Sequence, residues 1–332
     1  MERLNMHTLV VGSCLVDIFI KPEDENHVEL TDNKASLTLG DKVPIDITAL
    51  SLGGNGGNVA AAVKKAGIST TFYTYLGNDV LSKHIEDTLV KEQIELVIER
   101  ADVVTASLAL ILNLSKDRII FSHHNKRPHG FDASQIHEKP DAIYLTSIGD
   151  EWENAYREVV AYATAQGIPI AFSPGSHQMK TINETFVDTV KASSMLFCNR
   201  EEAKRIVKAL TGNEIDDIKE IISTLKETGL KLLSITDGAN GAHAIGEDNT
   251  LFRIGVLPTN GHEKTGAGDA YAAAFLAAYL KGLPVNECMR RATFNSVSVM
   301  ERTGAHSGLL TDEGFELASN THTEFSAERV EL

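Results

Sequence analysis

The chain has 332 residues, of which 42% are hydrophobic and 23% are charged. This size and composition are typical of a globular protein with a large buried core. Its 31 basic and 46 acidic residues give a net charge of −15, which argues against binding to nucleic acid or to an anionic membrane. Cys14, Cys198 and Cys288 are too few for a disulfide framework, and no signal-like or membrane-spanning stretch is present. We therefore expect a cytoplasmic protein.

Apolar strand-like runs alternate with helical patterns along most of the chain. The predicted strands span residues 9–11, 71–75, 142–145, 168–172, 195–198 and 232–235. The predicted helices span residues 59–65, 80–92, 152–166, 201–210, 215–228, 269–280 and 285–300. This alternation is typical of an α/β protein with a mostly parallel sheet and crossover helices.

Two segments, residues 28–47 and 103–121, break that alternation. In both, polar and apolar residues alternate over sequence rich in β-forming residues, which indicates extra strands with one face toward solvent. We expect a single domain over residues 1–332, with about 21–52 and 100–128 forming a small sheet inserted in the α/β core.

Asp17 interrupts an apolar, strand-like run over residues 8–20. An ionised carboxylate there is costly unless it lies at the strand end or meets the hydroxyl groups of a ligand. An ordinary turn at the strand end and a ligand contact are both open interpretations.

A glycine-rich segment, residues 53–58, runs directly into an alanine-rich helix. Its Asn55 and Asn58 each offer a donor and an acceptor, which suits a polyhydroxylated ligand, and the neighbouring glycines would let that ligand lie against the main chain. A turn followed by a helix N-cap is the alternative.

Three polar segments in the middle of the chain have structural as well as functional interpretations. Asn199 followed three residues later by Glu202 is a capping-box pattern. The segment 236–242 contains an Asn-Gly pair that favours a hairpin between strands at 232–236 and 242–245. His123, His124 and His129, with Lys126 and Arg127, favour a solvated loop over a metal site because no carboxylate is spaced to complete one; Arg127 is a weaker candidate for an anionic substrate.

The segment 265–269, Thr-Gly-Ala-Gly-Asp, joins a backbone anion cradle to one carboxylate. Its small residues let a phosphate approach the main chain, and the helix predicted to start at Asp269 directs its free N–H groups the same way. Asp269, held ionised by the helix N-terminus, is placed to act as the general base of a phosphoryl transfer. A tight turn with a helix cap is the alternative, whereas a dinucleotide loop lacks its third small residue and no P-loop is present.

The two glycine-rich segments resemble the two signatures of the ribokinase family, also called the PfkB sugar kinases. Residues 53–58 are similar to its Gly-Gly-x-Gly-x-Asn helix start, and residues 265–269 are similar to its Thr-Gly-Ala-Gly-Asp signature. Further segments that resemble family motifs follow in the family's order, at residues 10–17, 199–202, 236–242 and 295–305. The resemblance runs from about residue 8 to residue 310.

This resemblance implies a ribokinase-like three-layer sandwich, with a mostly parallel central sheet, helices on both faces and a small β-sheet lid over the substrate. It also implies ATP and Mg²⁺, and a homodimer formed through the lid. Asp269 would be the catalytic base, with the anion hole formed by Gly266, Ala267 and Gly268. The sugar would be held by Asp17, Gly53, Gly54, Asn55 and Asn58. ATP would be bound by Asn199, Thr236, Gly238, Gly241, Thr265 and Asn295, and Mg²⁺ by Glu202 through water.

One departure from the family pattern narrows the range of expected substrates. Many relatives have Lys where this chain has Asn55, and a neutral amide suits sugar hydroxyls better than a sugar phosphate. We therefore expect ATP-dependent phosphorylation of a hydroxymethyl group on a free, ribose- or fructose-like sugar. Ser173 replaces the Asp or Asn usual in its loop, which puts the contacts of that position in doubt.

Two other functions stay open. A nucleoside kinase of the adenosine type would use aromatic residues such as Phe19 and Phe121 to stack a base. A catalytically silent regulator that binds a sugar or a nucleotide is disfavoured because Asp269 and its glycine turn are retained. An NAD-dependent dehydrogenase is excluded by the missing fingerprint.

Some family members use a monovalent cation near an Asp that precedes the glycine turn. Here Glu263 stands at that place with Lys264 beside it, and a built-in ammonium group would make potassium unnecessary. Equal turnover in sodium, potassium and choline salts would support this hypothesis, and strong activation by potassium would contradict it.

Overall fold

The computed structural model describes residues 6–31, 34–102, 106–115, 117–124, 126–259, 261 and 265–332. Its strands are β1 (His7–Val11), β2 (Leu15–Pro22), β3 (Glu29–Thr31), β4 (Lys34–Ser36), β5 (Ile45–Gly53), β6 (Ser69–Leu76), β7 (Glu95–Arg100), β8 (Leu108–Asn113), β9 (Arg118–His123), β10 (Ala142–Leu145), β11 (Ile170–Phe172), β12 (Met195–Asn199), β13 (Leu232–Thr236), β14 (Ala242–Ile245), β15 (Leu251–Ile254) and β16 (Glu328–Val330). Its helices are α1 (Asn55–Lys65), α2 (Val80–Lys91), α3 (Glu153–Gln166), α4 (Ser176–Lys180), α5 (Glu184–Ala192), α6 (Arg200–Thr211), α7 (Ile218–Lys226), α8 (Ala267–Leu280), α9 (Val285–Met300) and α10 (Asp312–Thr321).

The central sheet has ten strands in the order β16-β15-β14-β13-β12-β11-β10-β1-β6-β7. The seven neighbouring strands β13, β12, β11, β10, β1, β6 and β7 pair in parallel. Strands β14, β15 and β16 extend the sheet beyond β13 with antiparallel pairs. Parallel strands place all their carboxyl ends at one edge of the sheet, which is where α/β proteins bind ligands.

Each face of this sheet is covered by its own hydrophobic cluster. On one face α1, α2, α8, α9 and α10 pack, and on the other α3, α5, α6 and α7. The alternation is visible within β1, where Val10 belongs to the first cluster and Leu9 and Val11 to the second. Strands buried on both faces explain the continuous apolar runs of the sequence, and the predicted three-layer α/β fold is confirmed.

A second, separate sheet has four strands in the order β5-β2-β8-β9, and β3 and β4 form a two-stranded hairpin. The small extra sheet is thus confirmed, but it includes β2, which starts at Leu15, before the expected boundary near residue 21. The apolar run over residues 8–20 is two strands and not one, because the chain leaves the central sheet at Gly12. A Cβ at Gly12 would lie 2.7 Å from Cγ2 of Thr146 and 2.9 Å from Cα of Gly56.

The predicted strands and helices are present, with shifted ends. Helix α1 begins at Asn55 instead of residue 59, and α8 at Ala267 instead of residue 269, since glycines occupy both first turns. Strands β7, β15 and β16 and helices α4, α5 and α10 are not among the predicted elements. In the part of the chain that the structure describes, no helix is both long and apolar enough to cross a membrane.

Candidate active site

The glycine-rich start of α1 packs tightly against the turn between β1 and β2. Gly54, with φ of 85°, is the N-cap, and Gly56 and Gly57 are buried in the first turn. A Cβ at Gly56 would lie 2.7 Å from the carbonyl carbon of Gly12, and one at Gly57 would lie 2.6 Å from Sγ of Cys14. The space beside these two glycines is therefore filled by protein, by the backbone of Gly12 at Gly56 and by the Cys14 side chain at Gly57. Contact of a ligand with Gly53 and Gly54 stays a prediction.

Asp17 lies beside this helix start. It is the third residue of β2, is 3% exposed and faces Ser51 of β5. A Cβ on Gly53 would overlap the Asp17 carboxylate, so glycine at 53 makes room for that group. The position inside β2 excludes the interpretation of Asp17 as part of a strand-end turn.

The second glycine turn has one closed and one open side. Gly266, with φ of 76°, is the N-cap of α8, and a Cβ there would lie 2.5 Å from Cβ of Ala305. A Cβ on Gly268 would meet nothing within 4 Å. The N–H of Ala270 donates to the carbonyl of Gly266 at 2.8 Å. The N–H groups before it have no partner within the helix, which makes this end suited to an anion.

Asp269 is where the two glycine-rich segments meet. Nδ2 of Asn55 donates to Oδ1 of Asp269 at 2.9 Å, and Nδ2 of Asn58 donates to Oδ2 at 2.8 Å. Both amides, predicted to hold a sugar, thus hold the candidate base through their nitrogens. Their oxygens remain, and Oδ1 of Asn58 is buried with no hydrogen-bond partner among the described residues.

The electrostatics of Asp269 differ from the expectation of a carboxylate stabilised mainly by the helix N-terminus. Burial raises the pKa of Asp269 to about 6, while the hydrogen bonds from Asn58 and Asn55 and the charge of His306 act in the opposite direction. At neutral pH the carboxylate is still mainly ionised, and its pKa is close to that of an efficient general base.

A cavity of about 130 Å³ opens beside Asp269, at the carboxyl ends of β11, β12 and β13. The cavity is lined by several of the residues discussed in the sequence analysis, namely Asn55, Ser173, Asn199, Glu202, Thr236 and Gly268. Tyr144 of β10, which the sequence analysis missed, is fully buried nearby; burial first, and then the charge of Asp269, raise the pKa of its hydroxyl. A tyrosine inside an apolar strand gives no signal in the sequence.

Asn199 and Glu202 form a complete capping box at the start of α6. The backbone N–H of Asn199 donates to Oε2 of Glu202 at 2.9 Å, and the N–H of Glu202 donates to Oδ1 of Asn199 at 2.9 Å. The capping interpretation is therefore confirmed. Glu202 also lines the cavity, and burial, followed by the charge of Asp269, raises its pKa.

The donor set fits Mg²⁺. Glu202 presents a carboxylate to the cavity, and a hard oxygen ligand of this kind suits a small divalent ion that keeps several waters. Within the described ranges no group of three or more His, Cys, Asp or Glu side chains is arranged to hold a metal by itself. A metal here would need water or substrate oxygens to complete its coordination.

The predicted nucleotide residues occupy different surroundings. Thr236 ends β13 and lines the cavity, and Thr265 directly precedes Gly266. The predicted hairpin is confirmed, since β13 and β14 pair antiparallel. Gly241 is required by that hairpin because a Cβ would overlap the carbonyl oxygen of Ile254, whereas Gly238 is open.

Asn295 is buried between helices, at 1% exposure. Its Nδ2 donates to the carbonyl of Ala270 at 2.9 Å, and its Oδ1 accepts from the N–H of Leu310 at 2.9 Å. These contacts join α9 to the first turn of α8 and to the loop after α9. They describe a residue that supports the site, and contact with ATP stays a prediction. Glu263 and Lys264, the basis of the monovalent-cation hypothesis, lie outside the described residues.

The histidine-rich segment after β9 is not a solvated loop throughout. His129 is 5% exposed, and its Nδ1 lies 2.7 Å from the carbonyl of Asp150. Arg127 pairs with Glu99 at 3.4 Å and lies 5.6 Å from the ring centre of Tyr75. Arg127 is therefore engaged in packing and in an ion pair, and its contact with an anionic substrate stays a prediction. No local sequence pattern indicates Glu99 and Tyr75 as its partners.

Comparisons with known proteins agree with this geometry. The family model described as pfkB family carbohydrate kinase matches residues 9–312. A nucleoside kinase from Methanothermobacter thermautotrophicus is 25% identical over 262 residues, which cover 77% of this chain and 81% of that protein. A ribokinase from Mus musculus is 25% identical over 313 residues, covering 90% of each chain. A solved structure described as Ribokinase II from E. coli in complex with ATP and Mg²⁺ matches with a TM-score of 0.76 at 16% identity, over 96% of this chain and 100% of that one.

Proposed function

Since the chain belongs to the pfkB family of carbohydrate kinases and is a phosphotransferase acting on an alcohol group, we propose that it phosphorylates the hydroxymethyl group of a free, ribose- or fructose-like sugar with ATP. The observation that supports this most directly is the meeting of Asn55 and Asn58 with Asp269, beside the open turn at Gly268. A carboxylate and a backbone anion site lie within one cavity, as phosphoryl transfer needs.

In the proposed reaction, a carboxylate oxygen of Asp269 takes the proton of the sugar hydroxyl as that oxygen attacks the γ-phosphorus. The bond from phosphorus to the bridging oxygen of ADP breaks, and ADP leaves. The free N–H groups at the start of α8 stabilise the charge on the transferred phosphoryl group. Asn55 and Asn58 keep the carboxylate aimed at the hydroxyl, because each fixes one of its two oxygens.

Glu202 and Asn199 are the residues that would hold Mg²⁺ and order the phosphates, and the ion would neutralise part of their charge. The nucleotide would extend past Thr236 and Thr265 toward Gly238 and Gly241. The complex of Ribokinase II with ATP and Mg²⁺ supports this choice of nucleotide and metal.

The acceptor is proposed to be uncharged. Asn55, a neutral amide that lines the cavity, stands where many relatives have Lys, so a phosphate on the sugar would lack that counter-ion. Asp17, which the small sheet places over Gly53, would accept hydrogen bonds from sugar hydroxyls. We propose that this sheet closes over the sugar and excludes water, and that it also forms a homodimer contact.

A nucleoside is the second candidate acceptor, favoured by the nucleoside kinase relative. The aromatic residues named for base stacking differ in their availability. Phe19 is 0% exposed and belongs to a buried cluster, whereas Phe121 of β9 is 52% exposed. Only Phe121, of these two, has a free ring face for a base.

Release of ADP with ATP and Mg²⁺ over free sugars, sugar phosphates and nucleosides tests the proposal, with Asp269→Asn and the exposed control Asp188→Asn. We expect turnover of one free sugar, a loss of about 10²- to 10⁴-fold in Asp269→Asn and no change in the control. Turnover of nucleosides alone would favour the second candidate. Silence across the panel despite measurable ATP binding would contradict the kinase and favour a regulator.

A further inference from the structure

The loop that follows α9, residues 304–308, contacts the anion turn and the small sheet at once. Ala305 packs against Gly266, where a Cβ would approach Cβ of Ala305 to 2.5 Å. Gly304, with φ of 89°, lies so close to the small sheet that its Cβ would be 3.0 Å from Oγ of Ser51. Ser51 is the cross-strand partner of Asp17. A shift of this loop would therefore disturb both the anion turn and the strand that places Asp17.

One side chain ties this loop to a third element. Nδ1 of His306 lies 3.1 Å from Oε1 of Glu92, the C-cap residue of α2, and the two side chains are 12% and 33% exposed. The other polar atoms, Nε2 of His306 and Oε2 of Glu92, are buried without a hydrogen-bond partner among the described residues. Breaking this contact would leave partly buried polar groups without a hydrogen-bond partner, which costs free energy. The contact therefore holds His306, and with it the adjacent Ala305, in place.

The same histidine is electrically coupled to Asp269. Its charge lowers the pKa of Asp269, against the larger opposite effect of burial. The other titratable groups that act in this region are Glu202 and Tyr144, whose pKa values are raised in part by Asp269, and Cys14, whose buried thiol is affected by Asp17 and Glu92. Among these groups His306 is the one that favours the ionised base.

We propose that His306 and Glu92 are positioning residues of the phosphoryl-transfer site: their contact fixes Ala305 beneath the turn at Gly266, where the proposed anion site lies. This inference rests on the proposed kinase function and adds to it a pair that lies outside the cavity. The pair does not contact substrate; it acts through Ala305 and through the field at Asp269.

His306→Gln and His306→Leu separate the two effects, with the exposed His137→Leu as the matched control. Glutamine can still donate a hydrogen bond to Glu92 but carries no charge, whereas leucine has neither a hydrogen-bond donor nor a charge. We expect His306→Leu to lower kcat on the order of tenfold or more, as small displacements at a reacting centre do, with little change in KM for ATP. His306→Gln should recover most of that kcat. In both variants the acid limb of the pH profile should move to higher pH, and in His137→Leu it should not.

A purely structural role gives a different result. If His306→Leu lowers the melting temperature while kcat per folded enzyme and the acid limb stay at wild-type values, the proposal is overturned. A Gln variant as slow as the Leu variant would overturn the positioning contact. An acid limb unchanged in both variants would overturn the electrostatic part.

Titration of the Asp269 carboxyl by ¹³C NMR keeps this test independent of the kinase proposal. The resonance is assigned from its absence in Asp269→Asn, and the titration needs no substrate. An upward shift in both His306 variants supports the coupling even if no acceptor is turned over, in which case only the proposed function fails. An unshifted titration contradicts the coupling even in an active kinase.

Discussion

Two helices of this protein begin with glycine-rich turns, and the turns serve opposite purposes. At the start of α1 the space beside the glycines is filled: a Cβ on Gly56 would meet backbone atoms of Gly12 at 2.7 and 2.9 Å. At the start of α8 the space beside Gly268 is empty within 4 Å. Glycine lets the backbone approach something closely in both cases. In the first turn that neighbour is another part of the chain, and in the second we propose that it is a phosphoryl group.

The two turns are nevertheless parts of one site. The tight packing of α1 against the turn between β1 and β2 fixes the helix on which Asn55 and Asn58 stand, and these residues reach Asp269 on α8. A preorganised site needs fixed side chains and room for the reacting group. The packed start of α1 supplies the first, and the space beside Gly268 supplies the second. Exchanging a glycine for alanine in each turn should separate stability from activity.

The largest effect is expected from Gly56→Ala. The added methyl would meet backbone atoms of Gly12 and the ring of Phe72 below 3.0 Å, and overpacking of this kind lowers the free energy of unfolding by about 3 kcal/mol. Chemical denaturation measures this loss, and Gly255→Ala, where a Cβ meets nothing within 4 Å, is the matched control. Equal stability of the two variants would show that α1 can move away from β1 and that the turn is not tightly packed.

Gly268→Ala should lower the activity without lowering the stability. Alanine favours a helix over glycine by up to about 1 kcal/mol, so the free energy of unfolding should stay the same or rise. The methyl would occupy the space proposed for the phosphoryl group, and we expect kcat to fall about tenfold to a hundredfold, which corresponds to about 1.4–2.7 kcal/mol. Steady-state kinetics beside a denaturation curve checks both. Unchanged kcat would remove Gly268 from the proposed anion site.

The alternation of strands and helices was predictable because each parallel strand is buried on both faces, which leaves continuous apolar runs such as 142–145. The start of α1 was predicted too late because glycine has a low helix propensity, and only the neighbouring Gly12 shows why glycine is needed at Gly56. Helix α10 was missed since Phe315 is its one buried residue, which leaves almost no apolar pattern to detect.

The sequence predicts the residues of the candidate site but not the contacts between them. Asn55 and Asp269 were each predicted to be functional residues, yet they are 214 residues apart in the sequence, and only the fold shows that the Asn55 amide holds the proposed base. The burial that raises the pKa of Asp269 is also a tertiary effect. The contacts of Asn295 with Leu310 and of His306 with Glu92 depend on how the chain after α9 packs, which no local pattern records.

The Asp269 carboxylate, which we propose as the general base, should also lower the stability of the fold. The pKa of Asp269 is raised from 3.8 to about 6, so the folded state binds its proton more tightly than the unfolded state does. Stability is therefore lost as the pH rises from about 3.8 through about 6. Asp269→Asn has no such titration. After discounting for partial exposure, we expect its free energy of unfolding relative to wild type to rise by about 1 kcal/mol between pH 5 and pH 8.

Measuring that difference at two pH values removes the constant effect of the altered hydrogen bonds with Asn55 and Asn58. Asp188→Asn, exposed on α5, should show no such change between the two pH values. A difference independent of pH would mean that Asp269 titrates in the folded protein as it does in the unfolded chain.

The smallest effects should come from the amides that link the two turns. Each amide hydrogen bond lowers the pKa of Asp269, and the contribution of Asn58 is larger than that of Asn55. Asn58→Ala should therefore move the acid limb of the pH profile to higher pH, and Asn55→Ala should move it less. Because Asn55 lines the cavity and Asn58 is 5% exposed, Asn55→Ala should raise the KM for the acceptor while Asn58→Ala should mainly lower kcat. Equal pH profiles in both variants and the wild type would mean that the start of α1 supports only the fold, and that the base on α8 works without it.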